Sequence, residues 1–397
     1  MSLSGILSDR DRSLGLLADV AIVGTAKNVG KTTTLNYLLE RLGQVASSSR
    51  SAHPDDRRGQ EARSLRAGSD LPLGLTSVGR DGEEFDAVTD LPKPRISPPV
   101  GSLVATARIA ARRSGAALAY VAPTPYRTAL GDVGIYRVVA PDPVEIAGPV
   151  TIDEASGTVA LLRRNGARRV LVDGAIDRRA SASSRVVTGV ILATGMAMLD
   201  QGGGRLGSSE DRMTASGAAT FAPDPESRTE AGRIAEVVRR TRAIVAMLSL
   251  PSSPHIVEAE PGRSATGALL PGGSFVPFEP GTTLDRGEFL VRWLPDEAEA
   301  LVLQGALTET VARALLASRR RDLALVVPDG THVLCEARTF DALGARGLVL
   351  QARSPITVLA ITANPSAPYR PSVPSSALVA ALREALPLPV FDVVAHP

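Results

Sequence analysis

The chain has 397 residues, 44% hydrophobic and only 3% aromatic, which suits an aliphatic core and either two or three domains or one large α/β unit with insertions. Its net charge of +2, from 44 basic and 42 acidic residues, gives no argument for a nucleic-acid partner. The single cysteine, Cys335, excludes an intramolecular disulfide and fits a reducing cytosol.

In chain order, the apolar run Val20–Val23 reads as a strand, the segment Gly24–Thr34 as a glycine-bounded loop, and Leu35, Leu38, Leu39 and Leu42 as the apolar stripe of a helix. Residues 44–70 are rich in serine and in charges that nearly cancel, and too poor in apolar groups to offset the entropy of ordering. They read as a flexible insertion, and residues 202–225, with Gly202-Gly203-Gly204, as a second. Between them an α/β alternation is expected: strand 71–78, helix 102–113, strand 116–121, a hairpin of 135–140 with 144–146, helix 152–164, strand 169–173 and strand 186–194. Asp153 and Glu154 suit the first turn of their helix.

Beyond the second insertion, 229–248 has strong helical periodicity. Helix 296–318, strand 323–327, a short β run 331–335, helix 337–345, strand 356–362, helix 375–386 and strand 390–394 complete the expected chain. The expected fold class is α/β, a mostly parallel sheet flanked by helices. The expected domains are 1–250, which holds the loop and both insertions, and a C-terminal α/β lobe, 251–397, packed on or completing the same unit. Asp9 to Arg12 interrupt the N-terminal segment, which has no signal-peptide pattern. The longest apolar stretch, Val186–Leu199, has 14 residues against the roughly 20 that a membrane span needs. The expectation is a soluble cytoplasmic protein without membrane or nucleic-acid partners.

The chemistry concentrates in Gly24-Thr25-Ala26-Lys27-Asn28-Val29-Gly30-Lys31-Thr32-Thr33-Thr34. A strand, a glycine loop and Gly-Lys-Thr opening a helix turn backbone N–H groups toward an anion, and the helix dipole adds to the attraction. Lys31 is placed to reach the β- and γ-phosphates of a nucleoside triphosphate, and the Thr32 hydroxyl to bind Mg²⁺. Gly24, Thr25, Ala26, Lys27, Asn28, Val29, Gly30 and Thr33 supply the rest of the cradle. The spacing departs from the standard pattern, because Thr25 stands where the first glycine is usual. A phosphate loop also needs an acid, and Val170-Leu171-Val172-Asp173 delivers one at a strand's C-terminal end, where ligands bind in open parallel sheets. Asp173 is therefore expected to hold Mg²⁺.

Other polar groups admit two readings each. Asp81, in Gly79-Arg80-Asp81-Gly82, suits a switch segment that meets the γ-phosphate or Mg²⁺, or a plain surface turn. Asp177-Arg178-Arg179 is a second switch or an ordinary loop. Arg80, Lys93 and Arg95 are phosphate or partner contacts, or solvated charge. Asn364, before Pro365, is a base-recognising residue or the start of a loop. The lack of an Asn-Lys-x-Asp motif favours ATP over GTP. Cys335 reads as a core residue, and His53, His255, His332 and His396 have no ligand spacing.

The loop resembles that of dethiobiotin synthetases, in the SIMIBI branch of P-loop NTPases. A wider set of strings resembles one family. Beside Gly24–Thr34 these are Leu75–Glu83 with Leu91–Ile96, Val144–Pro149, Val172–Arg179 and Gly189–Gly195, then more loosely Ala363–Pro365 and Leu388–Val394. Together they are similar to the P-loop subunit of the reactivase for adenosylcobalamin-dependent lysine 5,6-aminomutase. That resemblance implies a P-loop NTPase fold, ATP and Mg²⁺ as ligands, and chaperone-like release of damaged cobalamin from the mutase. It also implies two partners, a MutS-like second subunit and the aminomutase. Two alternatives stand beside it: a ligase of the dethiobiotin or cobyrinate amidation type, whose glutamine-dependent form is weakened by the lack of an ammonia-generating Cys-His pair, and a nucleotide sensor that does not hydrolyse.

Overall fold

The computed structural model describes residues 3–14, 18–48, 72–81, 95–115, 117–175, 181–200, 229–254, 266–279 and 287–394. Lys93, Asp177, Arg178, Arg179, residues 202–225 and the first insertion beyond Ser48 lie outside them. The chain forms two compact units, Met1–Asp200 with Leu359–Pro397, and Gln201–Val358. This division differs from the one expected. Residues 229–250 belong to the second unit, and the last 39 residues return to the first.

The first unit begins with α1 (Leu3–Leu14), β1 (Val20–Gly24), α2 (Lys31–Ser48), β2 (Leu73–Ser77), β3 (Arg80–Asp81) and β4 (Leu103–Ala107). It continues with α3 (Arg108–Arg113), β5 (Leu118–Thr128), β6 (Gly131–Val138), β7 (Ile146–Ala147), α4 (Ile152–Arg164), β8 (Arg169–Ala175) and β9 (Gly189–Gly195). The second unit contains α5 (Glu230–Leu248), β10 (Gly267–Leu269), β11 (Phe275–Pro277), α6 (Gly287–Trp293), β12 (Ala300–Val302) and β13 (Leu307–Thr308). After these come α7 (Glu309–Ala317), β14 (Ala324–Val327), β15 (Val333–Leu334), α8 (Ala337–Ala345) and β16 (Val349–Ala352). β17 (Val358–Asn364), α9 (Ser375–Ala385) and β18 (Val390–Phe391) close the chain.

Among the described residues, nine strands of the first unit form one sheet in the order β18-β17-β9-β1-β8-β2-β4-β6-β5. β1 lies between two parallel neighbours. Ile22 is level with Asp173 on one side and with Ile191 on the other. All five residues of β1 are buried, which explains why it reads as an unbroken apolar run. Leu3 and Leu7 of α1 and Leu35, Leu38 and Leu39 of α2 pack with Val20 and Ile22 in one core cluster. Each such buried side chain stabilises the fold by about 1.5–3 kcal/mol. The N-terminal segment is thus a packed helix, tied down where Asp11 accepts from the buried Arg169 guanidinium at 2.5 Å. α4 starts where Thr151 caps the Glu154 N–H, as its acidic first turn suggests.

The second unit has a five-stranded sheet, β11-β10-β12-β14-β16, in which β12, β14 and β16 run parallel. Leu290, Leu301, Val311, Leu315, Leu325 and Leu343 share its core, and Cys335 is buried in the same cluster. Thr229 caps α5 and Thr308 caps α7. Both units are therefore α/β, with mostly parallel strands in the large sheet. Among the described residues no helix is long and apolar enough to cross a membrane.

Several elements differ from the sequence expectation, among them α1, β10, β11, α6 and β16, which it did not contain. Residues 103–107, read as the start of a helix, form β4. All five are buried on a strand packed from both faces, and such a run has no period to separate it from a buried helix. The same ambiguity hid β12 inside the expected helix 296–318, which begins only at Glu309. The hairpin partner of β6 is β5, while Val144 bridges Ile96 and Ile146 pairs with Asp81. α2 also continues to Ser48, four residues into the segment read as an insertion.

Candidate functional site

The loop between β1 and α2 is shaped by two residues in the left-handed region, Asn28 at φ 61° and Gly30 at φ 88°. Asparagine is among the few non-glycine residues that visit this region, and Gly30 does so without steric cost. Gly24 is close-packed, since a Cβ there would lie 3.1 Å from the Val29 side chain and 3.2 Å from the Ala26 carbonyl. Val29 is buried against Ala193 of β9 and Ala197 just beyond it, and this packing holds the middle of the loop down. Thr25 donates its N–H to the Ala193 carbonyl at 2.8 Å, and its hydroxyl meets that of Thr194 at 3.3 Å.

α2 opens at Lys31. The Thr34 N–H closes the first turn on the Gly30 carbonyl at 2.9 Å, and its hydroxyl meets that of Thr362 on β17 at 2.8 Å. As at any helix start, the N–H groups of Thr32 and Thr33 have no carbonyl in a preceding turn to bond. Both residues are partly exposed, and Lys27 is exposed.

Asp173 and Lys31 come together although 142 positions separate them in the chain. The Lys31 ammonium lies 3.0 Å from an Asp173 carboxylate oxygen, with the carboxylate side chain 1% exposed and the lysine 14%. β8 is the immediate neighbour of β1, so Asp173 stands beside the strand that feeds the loop. On its other side it is level with Ser77, and its own carbonyl accepts from the Val78 N–H at 3.1 Å. A Cβ on Gly174 would lie 1.8 Å from the Ser181 hydroxyl, so the backbone after Asp173 must be glycine to pass beneath that serine. The Asp173 carboxylate and Thr32 hydroxyl are hard oxygen donors, which suit Mg²⁺ when nucleotide oxygens and water complete the shell. Among the described residues no group of three histidine, cysteine or acidic side chains gathers as an all-protein metal site.

Asn364 ends β17 at the loop. Its side-chain amide donates to the Asn28 carbonyl at 2.9 Å, and its carbonyl oxygen accepts from the Ser366 N–H at 3.0 Å. Its side chain also fills the space a Cβ on Gly30 would meet at 3.5 Å. The bond from Ser366 makes Asn364 the start of the loop after β17, as one reading has it, while its amide also shapes the phosphate loop, which neither reading contained. Gly195 permits the approach, since a Cβ there would stand 2.2 Å from the Asn364 carbonyl oxygen.

The structure thus brings together Gly24–Thr33, Asp173 and Asn364. The Asp81 backbone pairs antiparallel with Ile146, and Gly79 is bonded to Pro149 and Gly148, while the Asp81 side chain lies outside what the structure describes. Arg95 is exposed. Thr194, Gly195 and Thr362 support the loop without having been singled out. Gly195 stood within a family-like string, but small residues at strand ends have no local pattern that marks such a duty. No family model, curated protein or solved structure matches the chain.

Proposed function

We propose that the chain is a P-loop NTPase that binds and hydrolyses Mg-ATP at Gly24–Thr34, and that hydrolysis drives release of damaged cobalamin from an adenosylcobalamin-dependent aminomutase. The observation that carries the nucleotide site is the 3.0 Å approach of Lys31 to the buried Asp173 at the carboxyl edge of adjacent parallel strands. A lysine at a helix start and an acid on the next strand are the two charges a triphosphate and its cation require. The N–H groups of the first α2 turn would donate to phosphate oxygens, and Lys31 would exchange Asp173 for the β- and γ-phosphates. Thr32 and Asp173 would hold Mg²⁺, which when bound offsets the charge developing on the phosphates. Asp173, nearly without solvent access, would keep its position through the backbone on both of its sides.

The reactivase role rests on the family-like strings, from Leu75–Glu83 to Gly189–Gly195. ATP can open a cofactor interface only if its two nucleotide states bind the mutase differently. The deciding assay is recovery of aminomutase turnover after inactivation, with Mg-ATP, this chain and a MutS-like partner subunit. Recovery above the ATP-free control is expected, and its absence would leave a nucleotidase of another role. Lys31→Ala, folded as judged by circular dichroism, is expected to lower kcat/KM for ATP hydrolysis about 100-fold or more. Equal hydrolysis by variant and wild type would remove the site.

A further inference from the structure

The first turn of α2 has contacts on two opposite sides. Lys31 reaches Asp173 at 3.0 Å on β8, one neighbour of β1. Thr34 faces the other way. Its hydroxyl meets that of Thr362 at 2.8 Å on β17, which lies beyond β9 on the opposite side of β1. The N–H groups that can bind an anion lie between these two contacts. A triphosphate whose β- and γ-ends belong to Lys31 therefore has its nucleoside on the β17 side.

That side carries an anchored loop. Beyond Asn364, residues 365–373 are closed by the Val373 N–H on the Pro365 carbonyl at 3.1 Å. Ala367 packs against the cluster of Val29, Ala193 and Ala197, so the loop rests on the flank of the phosphate loop. Arg370 ties down its far part, donating to the Asp200 carboxylate at 2.9 Å and to the Leu199 carbonyl at 2.8 Å. Pro368 and Pro371 restrict the backbone between and beyond these anchors. Tyr369 stands between Ala367 and Arg370 and is 66% exposed. It is the only aromatic residue from Pro365 to Pro374. Asn364, which could otherwise read a base edge, has both ends of its amide bonded to backbone.

We propose that Tyr369 is the stacking platform for the base of the nucleotide, so that the phosphate loop holds the triphosphate and the loop after β17 holds the nucleoside. This inference rests on the nucleotide site proposed above and adds the residue that grips its other end. A ring left in water contributes little burial to the fold, yet offers a flat π-face to a base. Because the loop is anchored at Ala367 and Arg370 before any ligand arrives, the contact costs little ordering entropy.

The test is isothermal titration of the full chain with Mg-ATP and with Mg-tripolyphosphate, which has the phosphates but no base. Tyr369→Ala should weaken ATP about tenfold and leave tripolyphosphate within about twofold, while Tyr369→Phe, which keeps the ring, should bind both as wild type does. Tyr369→Trp adds a reporter. Its fluorescence should be quenched by ATP, beyond any response of Trp293 in wild type, and not by tripolyphosphate. The proposal is overturned if Tyr369→Ala binds ATP as tightly as wild type. It is also overturned if tripolyphosphate weakens as much as ATP, which would make Tyr369 a structural part of the loop. If wild type binds neither ligand, the nucleotide site itself falls, and this inference with it.

Discussion

At the scale of single residues, the site depends on atoms that come from three distant stretches of chain. Asp173→Asn keeps the shape of the side chain but removes the charge that Lys31 meets at 3.0 Å. The expected result is a larger loss in Mg-dependent hydrolysis than in nucleotide affinity, read from kcat and from a titration without Mg²⁺. Equal activity would take Asp173 out of the site. Asn364→Asp replaces the amide that donates to the Asn28 carbonyl with an acceptor, setting two oxygens against each other. Nucleotide affinity should fall about tenfold, the equivalent of 1.4 kcal/mol, while Asp173-dependent Mg²⁺ effects persist. Lys31 was legible because a helix-initiating Gly-Lys-Thr is a local pattern. The loop-shaping role of Asn364 was not, because it exists only where β17 ends beside the loop.

At the scale of elements, caps and packing decide where helices begin. Glu309 opens α7 and accepts from the Glu336 N–H at 2.8 Å, the Thr339 hydroxyl at 2.8 Å and the Arg313 guanidinium at 2.5 Å. Burial pushes its carboxyl up, but the bonds from Glu336, Arg313 and Thr339 outweigh it and hold the group below the ordinary glutamate range. A depressed carboxyl stabilises the fold above its unfolded pKa, about 4.3, and that contribution is lost as pH falls through the folded value. Glu309→Gln should therefore lower the melting temperature at neutral pH by about 2–4 °C, discounted by solvent screening, and the difference should vanish near pH 3. A constant difference across pH would assign the effect to packing. α8 and α5 were readable from apolar spacing and α7 only as the second half of a longer expected helix, whereas β4 and β12 were not, since strands buried on both faces have no alternation.

At the scale of the whole molecule, the first unit is discontinuous in sequence. β17 and β18 come from residues after the second unit, yet they stand at the β9 end of the large sheet. A chain ending at Val358 retains every residue of Gly24–Thr34 and Asp173, but loses Asn364 and Thr362. It should bind nucleotide at least tenfold more weakly and unfold at lower temperature. Replacing 201–358 with a flexible linker, by contrast, should leave a folded first unit that still binds, as isothermal titration and thermal unfolding would report. If the truncated chain binds as well as the full one, the C-terminal strands have no part in the loop's geometry.

Local pattern alone determined the phosphate-loop signature, the acid at the end of Val170–Asp173, most helices and the α/β alternation. These depend on neighbours within a few residues, through helical spacing, capping and the burial of short apolar runs. Tertiary structure decided the rest: that β8 lies next to β1, that Asp173 meets Lys31, and that Asn364, whose close approach Gly195 permits, holds Asn28 from 336 residues away. Strand order and close backbone approach depend on which faces must be buried together across the whole chain, and no short stretch of sequence contains that information.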